Sequence, residues 1–320
     1  MLRAPSCLFK ASPSPSPSRH VTVELELELD HIMAVKKRQK ALSSGRPPVN
    51  KPKERMSAQQ SRTIIRTHHR LQKEHAAAVK RGDTSTAEKL ARAIENNGGI
   101  TKYQAASKQG QAKDRGGDSS KLLVEWLVEL GVVDRKARGR TAAEKAPLRC
   151  LEVGALSAAN EISKFPNLIE MTRIDLNSQG PGIQKQDFME RPLPASEHER
   201  FDIFSLSLVL NYVPDAPGRG EMLKRITEFL RTAQAAEHSE SLPVLFFVLP
   251  LPCIDNSRYI DESRLLQIMD SLGFVLTKKR LTPKLCYYLL RWTATKDHTT
   301  FEKKKIRDGP AMNNFSIVVE

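Results

Sequence analysis

From residue 148 onward, short apolar runs alternate with segments of helical pattern, and this alternation limits the fold more than any other feature of the chain. Four apolar runs predict strands, at 148–153, 171–176, 201–210 and 244–249. Three amphipathic segments predict helices, at 156–165, 220–236 and 261–272. Residues 274–281 and 285–292 are predicted to form an antiparallel pair of strands around the turn Thr282-Pro283-Lys284. Because alternating strands and helices form a mostly parallel sheet with helices on both faces, residues 136–320 predict an α/β domain with a Rossmann-like sheet.

A helical N-terminal module is predicted before the sheet, over residues 57–135. Residues 57–81 contain no Gly or Pro, with Ser57 or Ser61 as the N-cap and Gly82 as the stop. A second helix is predicted from Asp83 or Thr84 to residue 95. A third, at 119–130, places its leucines and a tryptophan on one stripe.

Residues 1–56 are predicted to be a disordered basic arm. Residues 1–32 are unlike the rest, with a Ser-Pro repeat and a Glu-Leu repeat that cannot bury a core. We expect translation to start at Met33, so that residues 1–32 would be absent from the native protein. The basic stretch that follows has three interpretations: a nuclear or nucleolar address, a phosphate-binding segment, or a solubilising tail.

The chain has a formal net charge of +14, which favours a polyanionic partner, RNA or DNA before an anionic membrane. Arg62, Arg66, Arg70 and Lys73 recur at helical spacing and share one face. That face is either an RNA-binding surface or a solvated helix face. The longest apolar run, residues 242–251, is too short to span a bilayer. We expect no membrane partner, no metal site and reduced cysteines.

Three features at the predicted strand ends match the chemistry of an adenosine moiety. Gly154 follows the first strand and lets the backbone approach a ligand without a Cβ clash. Asp175 ends the second strand, at the spacing of an acid that accepts hydrogen bonds from ribose hydroxyls. Asp187 could accept from an adenine amino group, with Phe188 flanking the ring. The alternative is an ordinary turn followed by unrelated strand-end acids.

The same segment lacks the G-x-G-x-x-G turn that packs a dinucleotide pyrophosphate on a helix N-terminus. This absence favours S-adenosylmethionine, which has no phosphate, over NAD or FAD. After the strand predicted at 201–210, Asn211 and Tyr212 lie in a sequence loosely similar to the N-P-P-Y loop of amino-methylating enzymes. They are the catalytic candidates, and a tail that merely lines the cofactor is the alternative.

Several longer strings closely resemble the fungal 25S ribosomal RNA adenine-N(1)-methyltransferase family. The strings at the strand ends are LEVGALS at 151–157, RIDLNSQ at 173–179, QDFMERPLP at 186–194 and SLSLVLNYVP at 205–214. Others lie outside the strand ends: YQAAS at 103–107, GGDSS at 116–120 and NNFSIVV at 313–319. The similarity covers about residues 33–320.

The resemblance implies a class I S-adenosylmethionine methyltransferase that methylates N1 of one adenine in 25S rRNA. It implies 25S rRNA or a pre-ribosomal particle as partner, a role in rRNA processing and ribosome biogenesis, and a place in the nucleus and nucleolus. The family's cofactor glycine maps onto Gly154 and its ribose acid onto Asp175. The same family includes an animal S-adenosylmethionine sensor of the TOR pathway, so a non-catalytic sensor that acts through a protein partner is the alternative function.

Overall fold

The computed structural model describes residues 56–110, 117–137, 146–178, 180–232, 240–294 and 299–320. The basic arm and residues 1–32 lie outside the described residues, and so do the predictions made for them. Residues from Arg55 to Glu320 belong to one compact unit, which contains both the helices and the sheet.

Four helices precede the sheet: α1 Ala58–Lys80, α2 Thr84–Asn96, α3 Gly99–Gly110 and α4 Ser120–Glu129. The predicted N-cap of α1 is confirmed, because Ser57 and Gln60 form a reciprocal capping box. Asp83 caps α2. Helix α3 was not predicted, although it lies between Gly98 and Gly110 in a stretch that carries Ala, Gln and Lys.

The sheet contains β1 Leu148–Val153, β2 Ile169–Asp175, β3 Gln184–Lys185, β4 Ile203–Ser207, β5 Val244–Pro250, β6 Phe274–Leu281 and β7 Leu285–Trp292. Its helices are α5 Ala216–Phe229, α6 Pro252–Asp255 and α7 Glu262–Ser271. The strand order is β3-β2-β1-β4-β5-β7-β6; β7 is antiparallel to both of its neighbours, and the other pairs are parallel. The predicted α/β fold, with a Rossmann-like sheet preceded by a helical N-terminal module, is confirmed.

Two apolar cores cover the sheet, one on each face. On one face α5 and α7 pack with the C-terminal residues, including Phe315, Ile317 and Val319. On the other face α4 packs with Trp126 against Phe246, with ring centroids 6.0 Å apart. The strand order reverses between β1 and β4, because the chain passes through β2 and β3 on one side before β4 forms on the other. In open α/β sheets the ligand site lies at the carboxyl ends of the strands beside such a switch point.

The helix predicted at 156–165 is wrong, because side chains occupy its backbone donors. Only a 3-10 turn, Glu161–Lys164, forms there. The Ser157 hydroxyl accepts from the Ala159 N–H, and the Asp118 carboxylate accepts from the Glu161 N–H. Such side-chain acceptors compete with helical hydrogen bonds.

Other predicted elements have different bounds, such as the strand predicted at 171–176, which is Ile169–Asp175. The strand predicted at 201–210 is only Ile203–Ser207, because Leu208 adopts a φ of 59° and ends the extended backbone. The helix predicted at 220–236 begins at Ala216 with Asp215 as its N-cap and ends at Phe229. The antiparallel pair at 274–281 and 285–292 has the predicted bounds.

Candidate active site at the ends of β1, β2 and β4

Gly154 turns the chain directly after β1, at the switch point. Its φ is 75°, and a Cβ placed on it would lie 2.5 Å from Cγ2 of Val209. Its N–H donates to the carbonyl of Ile174 at the end of β2, at 2.9 Å. Two features of this position therefore favour glycine: its left-handed backbone conformation, and the close approach of Val209 at the end of β4.

Asp175 is the last residue of β2 and is half-buried. Its Oδ1 accepts from the backbone N–H of Asn177 at 2.8 Å and from Nε2 of Gln104 at 3.1 Å. Burial raises the pKa of this carboxyl above its usual value, while the two donors and Lys108 act in the opposite direction. Among the described residues no donor reaches Oδ2, so this oxygen is available to a ligand hydroxyl.

Gln104, on α3, was missed as a site residue. The side chain is 3% exposed and joins the helical module to the end of β2. Besides its bond to Asp175, its Nε2 donates to the Asn177 carbonyl at 2.7 Å, and its Oε1 accepts from the Asn177 side chain at 3.1 Å. The only sequence signal was that Gln104 lies within one of the family-like strings.

The end of β4 is strained and irregular. Leu208 holds a left-handed φ of 59°, which is unfavourable for a residue with a branched side chain, and its N–H donates to Val248 at 3.0 Å. The chain then forms a 3-10 turn, Leu210–Tyr212. Backbone strain of this kind concentrates at functional sites, where the surrounding structure supports it. This turn carries both catalytic candidates, Asn211 and Tyr212.

Four aromatic side chains form a cluster over this turn, which we call the aromatic cluster: His68 and His69 of α1, Tyr103 of α3, and Tyr212. The rings of His69 and Tyr212 meet edge to face with centroids 4.2 Å apart. Tyr103 stacks on His68 at 4.7 Å and meets Tyr212 at 5.5 Å. Because Tyr103 and Gln104 are consecutive, α3 links the aromatic cluster to the carboxylate of Asp175.

Several polar atoms in and beside the aromatic cluster are buried without a hydrogen-bond partner among the described residues. They are Nδ1 of His68, Nε2 of His69 and Oδ1 of Asn211. Buried polar atoms are nearly always satisfied, so such a group needs a ligand or a water to explain it. Burial lowers the pKa of His68, and burial together with its neighbour His68 lowers the pKa of His69 to about 4. Both imidazoles are therefore neutral at pH 7.

A buried carboxylate, Glu152, lies on β1 behind Gly154. It accepts from the Asn160 amide at 2.9 Å on both oxygens, and Nε of Arg173 lies 3.7 Å away. Burial raises its pKa to about 7, against the opposing effects of Asn160 and Arg173. Asp118, from the GGDSS segment, also raises it, so this segment and β1 share one network.

Asp187 and Phe188 follow β3 close to the Asp175 backbone, since the Gln186 N–H donates to the Asp175 carbonyl at 3.0 Å. Oδ1 of Asp187 accepts from the Met189 N–H at 2.8 Å. Phe188 is buried in the core, where its ring packs against Phe204 and Phe229. The contact of Phe188 with an adenine ring stays a prediction, and the position of the ring in the core does not support it.

No helix in the described ranges is long and apolar enough to cross a membrane. The same ranges contain no group of three or more His, Cys, Asp or Glu side chains placed to hold a metal ion.

The family model for Bmt2, described as 25S rRNA (adenine(2142)-N(1))-methyltransferase, matches residues 88–317. A 25S rRNA (adenine(2142)-N(1))-methyltransferase of Saccharomyces cerevisiae is 38% identical over 71% of this chain and 61% of its own length. A 25S rRNA adenine-N(1) methyltransferase of Schizosaccharomyces pombe is 38% identical over 79% of this chain and 89% of its own. The match therefore spans less than two thirds of the budding-yeast protein.

Two solved structures resemble the chain more distantly. One is a Burkholderia thailandensis 1,6-didemethyltoxoflavin-N1-methyltransferase with S-adenosylhomocysteine, 15% identical, with a TM-score of 0.40 over 60% of this chain and 87% of that one. The other is the O-methyltransferase NcsB1 from neocarzinostatin biosynthesis with S-adenosylmethionine, 13% identical, with a TM-score of 0.38 over 72% and 70%.

Proposed function

The chain belongs to the Bmt2 family, and on that premise we propose that it is an S-adenosylmethionine-dependent enzyme that methylates N1 of an adenine in 25S rRNA. The observation that carries the proposal is the extent of the family match. It runs from residue 88 to residue 317 and includes Gly154, Asp175, Asn211 and Tyr212.

The residues at the strand ends fit the proposed cofactor. Gly154 lets the chain turn directly after β1 with a φ of 75°, close to the Val209 side chain at the end of β4. Asp175 keeps Oδ2 as an acceptor for a ribose hydroxyl, while Gln104 and the Asn177 N–H hold its other oxygen in place. Asp187, next to the Asp175 backbone, is the proposed acceptor for the adenine amino group.

When bound, S-adenosylmethionine would supply a methyl group carried on a positively charged sulfur. The methyl group would pass to an acceptor electron pair as its bond to sulfur breaks, with acceptor and sulfur in line. Adenine N1 carries a free lone pair and no proton, so the protein needs no general base. What the chain must do is hold the base in line and exclude water. We assign the stacking of the target base to Tyr212 and the acceptance of its N6 amino group to Oδ1 of Asn211.

N1 lies on the Watson–Crick edge, so the target adenine must be unpaired or flipped out before it reacts. The basic face of α1 is the proposed RNA-binding surface. Arg62, Arg66, Arg70 and Lys73 are all exposed along one side of the helix, as the sequence spacing predicted. Contacts to phosphates by such side chains make RNA affinity strongly dependent on salt.

The decisive experiment combines a deletion with a reconstitution. Deleting the gene is expected to remove N1-methyladenosine from one position of 25S rRNA, as mapped by mass spectrometry. The purified full chain is expected to restore it on rRNA or pre-ribosomal particles from the deletion strain. If the modification persists after deletion and the chain binds the cofactor without transferring methyl, the sensor function replaces this proposal.

Asp175→Ala tests the cofactor site separately. We expect its S-adenosylmethionine affinity, measured by calorimetry, to fall about ten- to hundredfold, because a charged acceptor of ribose hydroxyls is lost. The control is Asp134→Ala, an exposed aspartate in the loop after α4. Equal affinity of wild type and Asp175→Ala contradicts the assignment of the ribose acid.

The proposed place of action is the nucleus, and the nucleolus within it, because 25S rRNA is made there. A fluorescent fusion to the full chain is expected to concentrate in the nucleolus, and a fusion lacking the basic residues 33–56 is expected to lose that concentration. An unchanged distribution would show that the basic arm is not needed for nucleolar localisation.

A further inference from the structure

His69 connects two features that have been described separately, the basic face of α1 and the aromatic cluster. On a helix, residues three and four positions apart are surface neighbours, about 5–6 Å apart at Cβ. Arg66 precedes His69 by three positions and Lys73 follows it by four, and both are exposed. The row of basic side chains therefore runs directly past His69.

The His69 imidazole also contacts the two tyrosines of the aromatic cluster. Its ring lies perpendicular to that of Tyr212, with centroids 4.2 Å apart, and its centroid is 5.8 Å from that of Tyr103. Tyr212 keeps 36% of its surface exposed, although its ring contacts both His69 and Tyr103. Nε2 of His69 and Oδ1 of Asn211 are both buried with no partner among the described residues. A ring surface and two unsatisfied polar atoms thus lie together, as base recognition requires.

We propose that His69 is a substrate-binding residue, which holds the target adenine in the aromatic cluster while Arg66 and Lys73 bind the phosphates on either side of that nucleotide. The proposal rests on the proposed function and adds to it the part of α1 that receives the RNA. It also assigns the helical module a direct part in recognition of the substrate.

The neutral state of His69 suits this position. The sulfonium carries a positive charge, and the adenine gains one as N1 is methylated. A protonated imidazole beside them would oppose the reaction by like-charge repulsion. Burial lowers the pKa of His69 to about 4, so the ring is uncharged under physiological conditions and can stack on a cationic product.

The combination of basic and aromatic side chains on this surface favours RNA over a protein as its partner. Arg and Lys side chains in a row match a phosphate backbone, and stacking on aromatic rings is how proteins hold single unpaired bases. The aromatic cluster lies beside Asn211, whose free carbonyl oxygen matches an exocyclic amino group.

The test is His69→Ala in the full chain, with His75→Ala on the same helix as the matched control. Base–aromatic stacking contributes about 1–3 kcal/mol per base, so the single-turnover rate of methyl transfer to 25S rRNA is expected to fall about 5- to 150-fold. S-adenosylmethionine affinity by calorimetry is expected to stay unchanged. His69→Phe keeps a ring for stacking and is expected to retain more of the rate than His69→Ala.

The double variant Arg66→Gln/Lys73→Gln tests the phosphate contacts. It is expected to raise the RNA concentration that gives half-maximal rate. Lys303→Gln/Lys304→Gln, in an exposed C-terminal stretch, is the charge-matched control.

Three results overturn the proposal: a full rate in His69→Ala, a loss of cofactor affinity equal to the loss of rate, or an unchanged RNA requirement in the double variant. Each assumes an active wild type. An inactive wild type is a distinct result, which overturns the proposed function and this proposal with it.

Discussion

At Gly154, the loss of stability caused by substitution with alanine has two parts that can be measured separately. Gly154→Ala must place a Cβ in a left-handed conformation, at about 1–2 kcal/mol, and within 2.5 Å of Cγ2 of Val209. Gly82 has a similar φ of 72°, but a Cβ placed there would meet nothing within 4 Å, so Gly82→Ala carries only the first cost. We therefore expect Gly154→Ala to lower the free energy of unfolding by about 2–4 kcal/mol, roughly twice the loss in Gly82→Ala.

Urea denaturation of the two variants measures this difference. Adding Val209→Ala to Gly154→Ala is expected to recover the part due to the clash, which appears as a favourable coupling in a double-mutant cycle. A coupling of zero contradicts the contact between the β1 turn and the β4 end.

Glu152 gives the protein a pH-dependent stability with a defined sign. Because burial raises its pKa from 4.5 to about 7, the folded chain holds this proton more tightly than the unfolded chain between those values. The stabilising contribution is complete below pH 4.5 and is lost as pH rises through 7, by an amount on the order of 3 kcal/mol. Urea denaturation between pH 5 and 8 is expected to show this fall in wild type and a smaller one in Glu152→Gln.

The control for that experiment is Glu170→Gln, on the exposed side of β2. Its unfolding free energy is expected to follow the wild-type pH profile. If the profile of Glu152→Gln also follows wild type, the burial of this carboxyl does not govern the pH response.

At the scale of elements, the contact between α5 and the C-terminal residues depends on Gly220. A Cβ on Gly220 would lie 1.7 Å from the carbonyl oxygen of Val318, and backbone cannot rotate away as a side chain does. Beside it, the buried Arg219 donates to the Ser316 carbonyl at 2.7 Å, and the Val318 N–H donates to Ala216 at 3.1 Å. The C-terminal residues thus lie along α5, and Phe301 pairs with Val319 outside the sheet.

Gly220→Ala is expected to separate these elements. Alanine favours a helix interior over glycine by about 0.5–1 kcal/mol, but the overlap with Val318 costs more, so we expect a net loss of about 2 kcal/mol or more in urea denaturation. Gly218→Ala, in the first turn of α5 with only side chains near its Cβ, is the control. A Gly220→Ala protein as stable as wild type contradicts the packing of the C-terminal residues on α5.

Most elements of the sheet were predictable because each depends on local pattern. The bounds of β6 and β7 follow from two strand-like segments on either side of the turn at 282–284, and the N-cap of α1 from Ser57 with Gln60. The helix predicted at 156–165 failed because the acceptor that disrupts it, Asp118, comes from about forty positions earlier in the chain. Local periodicity contains no information about such a partner.

The site divides in the same way. The places of Gly154 and Asp175 at the strand ends were predictable because turn geometry and strand-end spacing restrict those positions, and their cofactor-binding roles stay predictions. The contacts of Gln104 and His69 were not predictable, because each side chain meets a residue far along the chain; Gln104 and Asp175 are 71 positions apart. The core position of Phe188 was missed because an aromatic after a strand has the same local pattern whether it packs inward or faces a ligand.

At the scale of the whole molecule, Gln104 joins the helical module to the sheet at the proposed cofactor acid. We expect S-adenosylmethionine to slow amide hydrogen exchange in α3 as well as at the strand ends, since the ligand holds the carboxylate to which α3 is bonded. In Gln104→Ala the slowing in α3 is expected to disappear, while the cofactor still binds and still protects the residues around Gly154.

Gln72→Ala, an exposed glutamine on α1, is the control and is expected to behave as wild type. If α3 is protected to the same extent in Gln104→Ala, then the module and the sheet respond to the ligand independently of this bond.

The shared carboxylate of Asp175 has a consequence for the order of events in a catalytic cycle. One oxygen is held by α3, the helix that also carries Tyr103 of the aromatic cluster, and the other is the proposed acceptor for a ribose hydroxyl. On the proposed function, this connection is expected to couple the binding of the cofactor to the binding of RNA. We expect the cofactor-loaded protein to be the better receptor for RNA, and the release of the spent cofactor to be coupled to the release of the methylated strand.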